Sequence, residues 1–155
     1  MDYKNFSFFD PGELIDRDLS LILVKKALPE LDETAEVPTY RFAMRLTGTA
    51  TKVGRINFRV GNTEDITMYA GHFGYRVEPE FRGNRYAARS CQLLFPLAKK
   101  HKINPVWITC NPDKKASRRT CEIAGGKLIE IIDLPRDNDQ YLDGERQKCR
   151  YRFIL

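Results

Sequence analysis

The chain has 155 residues, a formal net charge of +5, 42% hydrophobic and 30% charged residues, which suits one globular domain (1–155) with one core and excludes a disordered or fibrous chain. No leader segment and no long apolar run are evident, so the sequence reads as cytoplasmic, with reduced thiols and no membrane partner. The mild positive charge suits a polyanionic ligand, and by itself suits nucleic acid as well.

In chain order, 1–18 reads as an N-terminal arm. Phe6, Phe8 and Phe9 pin it to the body, and Asp10-Pro11-Gly12 signals a turn. The apolar run 19–24 predicts a strand that continues toward Leu28. The acidic, proline-bounded 29–38 reads as an exposed loop or short helix. Alternation through Tyr40, Phe42, Met44 and Leu46 predicts a half-buried strand over 40–46. Val53, Ile56, Phe58 and Val60 predict another over 52–60, closed by a Gly61-Asn62 turn. Residues 65–77 read as the next strand, broken near Gly71 or Gly74.

A short basic turn follows, Arg82-Gly83-Asn84-Arg85-Tyr86-Ala87. Beyond it Ala87, Ala88, Cys91, Leu94, Phe95 and Ala98 recur at helical spacing. A helix is therefore expected over 84–101, kinked near 92–96 by Pro96, with Lys99, Lys100 and His101 complementing its C-terminal dipole. Residues 106–110 form a short buried strand. Asn111-Pro112-Asp113 predicts a helix start, and Gly125-Gly126 its stop near Ala124. Then come a strand over 127–134, a polar loop over 135–144, and a closing strand over 148–155 with Cys149, Tyr151 and Phe153 on one face. Cys91, Cys110, Cys121 and Cys149 form no Cys-x-x-Cys pair, so no metal site is expected.

Strand, small-residue turn and helix start together suit a phosphate. The first N–H groups of a helix have no internal acceptor, and its dipole places partial positive charge there. Arg82, Arg85 and Arg89 add full charges. The competing reading is an ordinary surface turn. Gly126-Lys127 makes no P-loop, because Cys121 and Leu128 stand where Gly and Ser/Thr are needed.

The stretch 71–98 resembles the acetyl-CoA-binding motif of the GNAT superfamily of N-acetyltransferases, Gln/Arg-x-x-Gly-x-Gly/Ala after a strand ending in Val-x-Pro. Arg82 fills the first place and Ala87 the last, while Arg85 stands where glycine is usual. Residues 107–130 resemble the family's next strand, its Asn/Ser-containing helix and the Gly-Gly leading to a strand. The similarity runs in order over roughly 40–155.

The resemblance implies an α/β (α+β) fold, with a mixed, mostly antiparallel central sheet of about six to seven strands and helices on both faces. The family's N-terminal helices are reduced, because only 29–38 stands in their place. It implies acetyl-CoA as co-substrate and no metal, with direct ternary-complex transfer to a primary amine of a small molecule or protein. A homodimer is a recurrent family arrangement.

Carried over residue by residue, the main chain at Val77 pairs with the pantetheine arm and donates to the thioester oxygen. Arg82, Gly83, Asn84, Arg85, Tyr86 and Ala87 hold the diphosphate. Asn111, Lys114 and Ser117 lie where the next helix meets the cofactor. Arg85, Arg89, Lys114, Lys115, Arg118 and Arg119 neutralise phosphates.

His72 is the first candidate for the catalytic base, since an ordinary imidazole titrates near neutrality and the family's glutamate is absent at Gly71. Its competing reading is a structural histidine. Tyr75 and Glu145 are further candidates. For the acid, Cys121 stands where the family often has tyrosine, with a small core residue as the alternative. The loop carboxylates Asp137, Asp139, Asp143 and Glu145 suit a cationic acceptor.

Lacking the usual glutamate and tyrosine, the chain also fits a non-catalytic acyl-CoA-binding sensor or interaction module. A nucleic-acid partner is the least supported. It calls for aromatics interleaved with Lys and Arg on an exposed strand face, and Tyr151 between Arg150 and Arg152 is a weak hint of that.

Overall fold

The structure, a computed structural model, describes residues 3–155. In order it holds β1 (Leu14–Asp16), β2 (Leu19–Ala27), β3 (Thr39–Leu46), β4 (Lys52–Arg59), a π turn (Ile66–Ala70), β5 (Phe73–Val77) and a 3-10 turn (Pro79–Phe81). There follow α1 (Tyr86–Lys100), β6 (Val106–Cys110), α2 (Lys115–Ile123), β7 (Lys127–Asp133), α3 (Asp139–Leu142) and β8 (Gln147–Phe153). No helix among the described residues is long and apolar enough to cross a membrane.

The strands form two antiparallel sheets, ordered β1-β2-β3-β4-β5 and β6-β8-β7. Period-two patterning sets their inner faces. Tyr40, Phe42 and Met44 point into the core while Arg41 and Arg45 point outward. Cys149, Tyr151 and Phe153 do the same on β8. Ala88, Cys91, Leu94 and Ala98 give α1 one apolar stripe, and Cys91 shares the core with Cys121 of α2. α1 runs unbroken through Pro96 to Lys100. Both longer helices join this one core, while the opposite face carries the π turn and the loop 28–38.

The crossover β5–α1–β6 brings β6 back beside β5, and two bonds join them at one end. The His72 N–H donates to Trp107 O at 2.7 Å, and the Trp107 N–H donates to His72 Nδ1 at 2.9 Å. Beyond that point the sheets part, and no ladder among the described residues pairs β5 with β6.

The reading of 65–77 as one strand does not hold. Residues 66–70 coil into a π turn that packs on the second sheet. There Thr109 Oγ1 donates to Tyr69 O at 2.7 Å, and Arg150 donates to Thr67 O at 2.8 Å. The break falls at Gly71, whose φ of 79° suits glycine. A Cβ there would come within 3.1 Å of Trp107 O and Thr109 N.

Two further boundaries differ. β1 pairs with β2 as a hairpin, although 1–18 reads as an arm. α2 starts at Lys115, so Asn111 does not cap it. The aromatic arm is pinned as expected. Phe6 stacks on His101 at 5.4 Å, and the Phe9 N–H donates to Tyr40 Oη at 2.7 Å.

The loop 28–38 stands where helices were expected to be reduced. Ala35 and Val37 are buried, and Asp32 accepts from Lys25 at 2.7 Å. It folds back over one end of the first sheet's outer face.

Candidate active site

β5 ends at Val77, and the chain turns through an exposed segment, 82–85, into α1. Arg85 precedes the helix in the left-handed region, at φ 60°, and offers no side-chain cap. It occupies the place where glycine would be free of strain. The first internal bond runs from the Arg89 N–H to Arg85 O. The N–H groups of Tyr86, Ala87 and Ala88 therefore have no acceptor among the described residues. Arg82 Nε donates to Val77 O at 3.1 Å, and Asn84 Nδ2 to Phe81 O at 3.0 Å. These bonds tie the turn to the strand end. Gly83 takes φ 96° inside it.

Arg89 does not serve as a free phosphate cation. It is buried, with Nε on Asp16 Oδ2 at 2.6 Å, Nη2 on Asp18 Oδ1 at 2.6 Å and Nη1 on Asn84 O at 3.4 Å. Its hydrogen bonds hold both carboxyls below the usual range. Tyr86 turns its hydroxyl to Asp18 Oδ2 at 2.9 Å, so only its main chain faces the turn's outer surface. The tip of the β1–β2 hairpin is thus lashed to the start of α1. Arg118 is likewise engaged, with Tyr151 Oη at 3.2 Å and Pro112 O at 3.4 Å. Arg82, Arg85, Lys114, Lys115 and Arg119 keep exposed side chains.

The gap between β5 and β6 has a polar wall. The Arg59 N–H reaches His72 O, and the Glu78 N–H reaches Val53 O. In an antiparallel ladder this alternation leaves the amides of Tyr75 and Val77 facing away from β4, into the gap. The Tyr75 hydroxyl lies 3.9 Å from Cys121 Sγ. Burial, then the nearby thiols, raise its pKa well above the phenol value, so it stays protonated. Cys121 is fully buried on the inner side of α2. A hydrogen bond with Cys110 and then burial push its pKa up. That is the core-residue reading, and Cys121 does not reach the gap as an acid.

His72 is not a free base. Nδ1 accepts from Trp107, and Nε2 lies 2.8 Å from Asn62 Oδ1. The tautomer is fixed with the proton on Nε2, and no lone pair remains. Burial, with Arg59 nearby, lowers its pKa to about 4. Because the folded value lies below the ordinary 6.5, the unfolded chain binds the proton more readily. Stability is then lost as pH falls from 6.5 to about 4, by up to about 3 kcal/mol. Urea unfolding at pH 7 and pH 4.5 should show this loss in wild type and a smaller one in His72→Gln.

Asn111 closes the gap's other side. Its Nδ2 donates to Glu145 Oε1 at 2.7 Å, and its Oδ1 accepts from buried Lys148 Nζ at 2.7 Å. Lys148 also reaches Glu145 Oε1 at 3.3 Å. Burial works to raise the Glu145 pKa, but the Asn111 bond and the charges of Lys148 and Lys114 outweigh it. The carboxylate stays ionised, and no hydrogen bond among the described residues reaches Oε2. The sequence alone did not link Asn111 to Glu145 and Lys148. Lys114 and Ser117 stand at and just inside the start of α2.

Beside β6 lies an open cavity of about 350 Å³ lined by Glu64, Asp65, Tyr69, Asp137, Asn138 and Asp139. Burial, then Asp65, raises the pKa of neighbouring Glu36. The cavity borders the gap's neighbourhood, not the gap itself. Among the described residues no cluster of His, Cys, Asp and Glu has the makings of a metal site.

Comparison with known proteins identifies the family and the fold. The family description "Acetyltransferase (GNAT) domain" matches residues 11–127. None of the curated proteins compared with the chain matches it. Among solved structures, the chain superposes on the microcin C7 self-immunity acetyltransferase MccE, in complex with acetyl-CoA and AMP, with a TM-score of 0.58 at 15% identity over 76% of this chain and 61% of that one. A GNAT-family acetyltransferase from Bacillus anthracis gives 0.57 at 20% identity, over 74% and 65%. The chain thus spans less than two thirds of the length of these two relatives. A Vibrio cholerae protein described as a candidate ribosomal-protein-serine acetyltransferase gives 0.64 at 12% identity, over 95% and 100%. With the family description covering most of the chain and the fold shared, the protein belongs to the GNAT acetyltransferase family.

Proposed function

We propose that the chain is an N-acetyltransferase that moves the acetyl group of acetyl-CoA directly to an amine held in the same complex. One observation carries this reading: an uncapped helix N-terminus stands at the mouth of a gap walled by unbonded strand amides. The N–H groups of Tyr86, Ala87 and Ala88 would receive the diphosphate, with Arg82 and Arg85 adding charge. The pantetheine arm would then lie along Tyr75 and Val77. The exposed Lys114, with Ser117 beside it, flanks its other side.

The amine nitrogen attacks the thioester carbon, forming a C–N bond and breaking the C–S bond. A Tyr75 or Val77 amide donates to the carbonyl oxygen as charge develops on it. Glu145, held by Asn111 and Lys148, accepts the proton lost by the amine through Oε2. Tyr75 gives its phenolic proton to the departing thiolate. The acidic cavity beside β6 draws a cationic acceptor toward the site.

Calorimetry with acetyl-CoA, followed by thiol release in the presence of an amine panel, tests the reading. Arg82→Ala should weaken acetyl-CoA binding about fivefold, because it removes a charge and frees Val77 O. Equal affinity in both proteins would remove Arg82 from the site.

A second reading has its own support. His72 is a strut and Cys121 a core residue, so neither first-choice catalytic side chain is available. A non-catalytic acyl-CoA-binding module would give binding heat without amine-stimulated thiol release.

A further inference from the structure

We propose that the open outer face of the first sheet docks an acidic polypeptide segment, and that this segment carries the acceptor amine. The role as acceptor rests on the acetyltransfer reading; the docking does not.

Strand register places the cations. Ile22 pairs with Ala43, Ala43 with Arg55, and Arg55 with Arg76, forming one row across β2 to β5. Ser20 pairs with Arg45, and Arg45 with Lys52, in the row beside it. These rows lie opposite the buried set that holds Tyr40, Phe42 and Met44. Arg55 therefore stands directly across from Arg76, and Arg45 from Lys52.

Like charges at such positions destabilise a sheet, and a protein normally relieves them with carboxylates. The same face shows that remedy at its other end, where Lys25 and Arg41 share Asp32 of the covering loop at 2.7 and 3.6 Å. Among the described residues no carboxylate pairs with Arg45, Lys52, Arg55 or Arg76. Lys52, Arg55 and Arg76 are exposed, and Arg45 Nε is buried with no hydrogen-bond partner. These four cations are complementary to an anion.

The surroundings select the kind of anion. Ile22 is 40% and Val24 66% exposed beside the charged rows, which suits a chain bearing both acidic and apolar side chains. The rows carry no aromatic ring on which a base could stack. Asp32 at one end of the face and Glu64 and Asp65 beyond it would repel a continuous phosphate backbone. A cavity of about 250 Å³ touches the rows at Ser20 and Ile22, but it lies toward β1 and none of the four cations lines it, so a small molecule held there would not meet them. Arg76 lies between Tyr75 and Val77, so a chain lying across Arg76 and Arg55 has its end at the gap. The nearby acidic cavity would attract the ammonium of that same chain toward the gap, while the arginines hold its body.

Anisotropy with a short labelled Glu/Asp-rich peptide bearing a free N-terminus tests docking without any need for turnover. Binding should be salt-sensitive and about tenfold weaker in the double variant Arg55→Gln, Arg76→Gln. That variant should be at least as stable as wild type, because a like-charge pair is relieved. The variant Arg55→Glu, Arg76→Glu should instead prefer a Lys-rich peptide. With acetyl-CoA present, the KM for the acidic peptide should rise in the Gln variant with kcat and the KM for acetyl-CoA unchanged. Unaltered peptide affinity in both double variants, or a short RNA duplex that binds more tightly than the peptide, would overturn the proposal. Peptide binding without acetyl transfer would sink only the acetyltransfer reading and the acceptor role.

Discussion

Replacing Tyr75 with phenylalanine should lower kcat about a hundredfold at neutral pH and leave acetyl-CoA affinity unchanged. The substitution removes one hydroxyl and keeps the ring, so the packing against Cys121 survives. In the proposed mechanism the phenol is the proton donor on the β5 side. Its raised pKa makes it neutral across the ordinary working range, so no alkaline limb from Tyr75 itself is expected in the pH–rate profile. The ionised Glu145 sets the opposite requirement. Its pKa is held below the usual value, so the proposed base is ionised at neutral pH and lost only in acid. Stopped assays of thiol release, with affinity measured separately, distinguish a chemical defect from a binding defect. Equal kcat in wild type and variant would remove Tyr75 from the chemistry.

Arg89→Met should weaken acetyl-CoA binding on the order of thirtyfold and lower the urea midpoint. Arg89 reaches the proposed ligand site only through Asn84 O and the Tyr86 ring, and offers the ligand no group of its own. It fixes Asn84 O and the two aspartates of the hairpin tip, and so holds the turn that aims the α1 amides. Losing it leaves Asp16 with only the exposed Arg17 and Asp18 with only the Tyr86 hydroxyl, next to the proposed phosphate site. The electrostatic and positional effects therefore act in the same direction. Arg89→Lys should rescue only part of the loss, since an ammonium cannot form the forked contacts to both carboxylates. Removing the repulsion with Asp16→Asn and Asp18→Asn in the Arg89→Met background should recover part of the affinity. If that triple variant binds no better than Arg89→Met, repulsion contributes nothing and only the positional effect remains.

Regular periodicity made much of this fold legible. β3, β4 and β6 follow from alternating or continuous apolar residues, and α1 from its stripe of Ala88, Cys91, Leu94 and Ala98. Gly125-Gly126 marks the end of α2 because it stops the helix whatever packs around it. The residues 66–70 were misread for the opposite reason. Ile66, Thr67 and Tyr69 favour strands locally, but the bonds from Thr109 and Arg150 hold them in a π turn. Tertiary contacts outweighed propensity there. β1 is three residues long and leaves almost no pattern.

The site divides in the same way. The turn over 82–85 and the helix start beyond it were legible because their pattern is local, and their phosphate role belongs to the proposal. Arg89 looked like part of it, one turn further along the helix. Its partners Asp16 and Asp18 lie 73 and 71 residues away, which no local pattern reveals. His72 has the right intrinsic pKa for a base, and only the fold brings Trp107 and Asn62 to its two nitrogens. Alternation alone puts Arg55 and Arg76 on outer faces. Strand register is what sets them opposite each other.

The most direct test is a crystal structure of the protein with acetyl-CoA. Diphosphate density is expected on the N–H groups of Tyr86, Ala87 and Ala88, with the thioester in the gap beside Tyr75 and Val77. Diphosphate bound anywhere else, with the start of α1 contacting only solvent, would contradict the proposed reading.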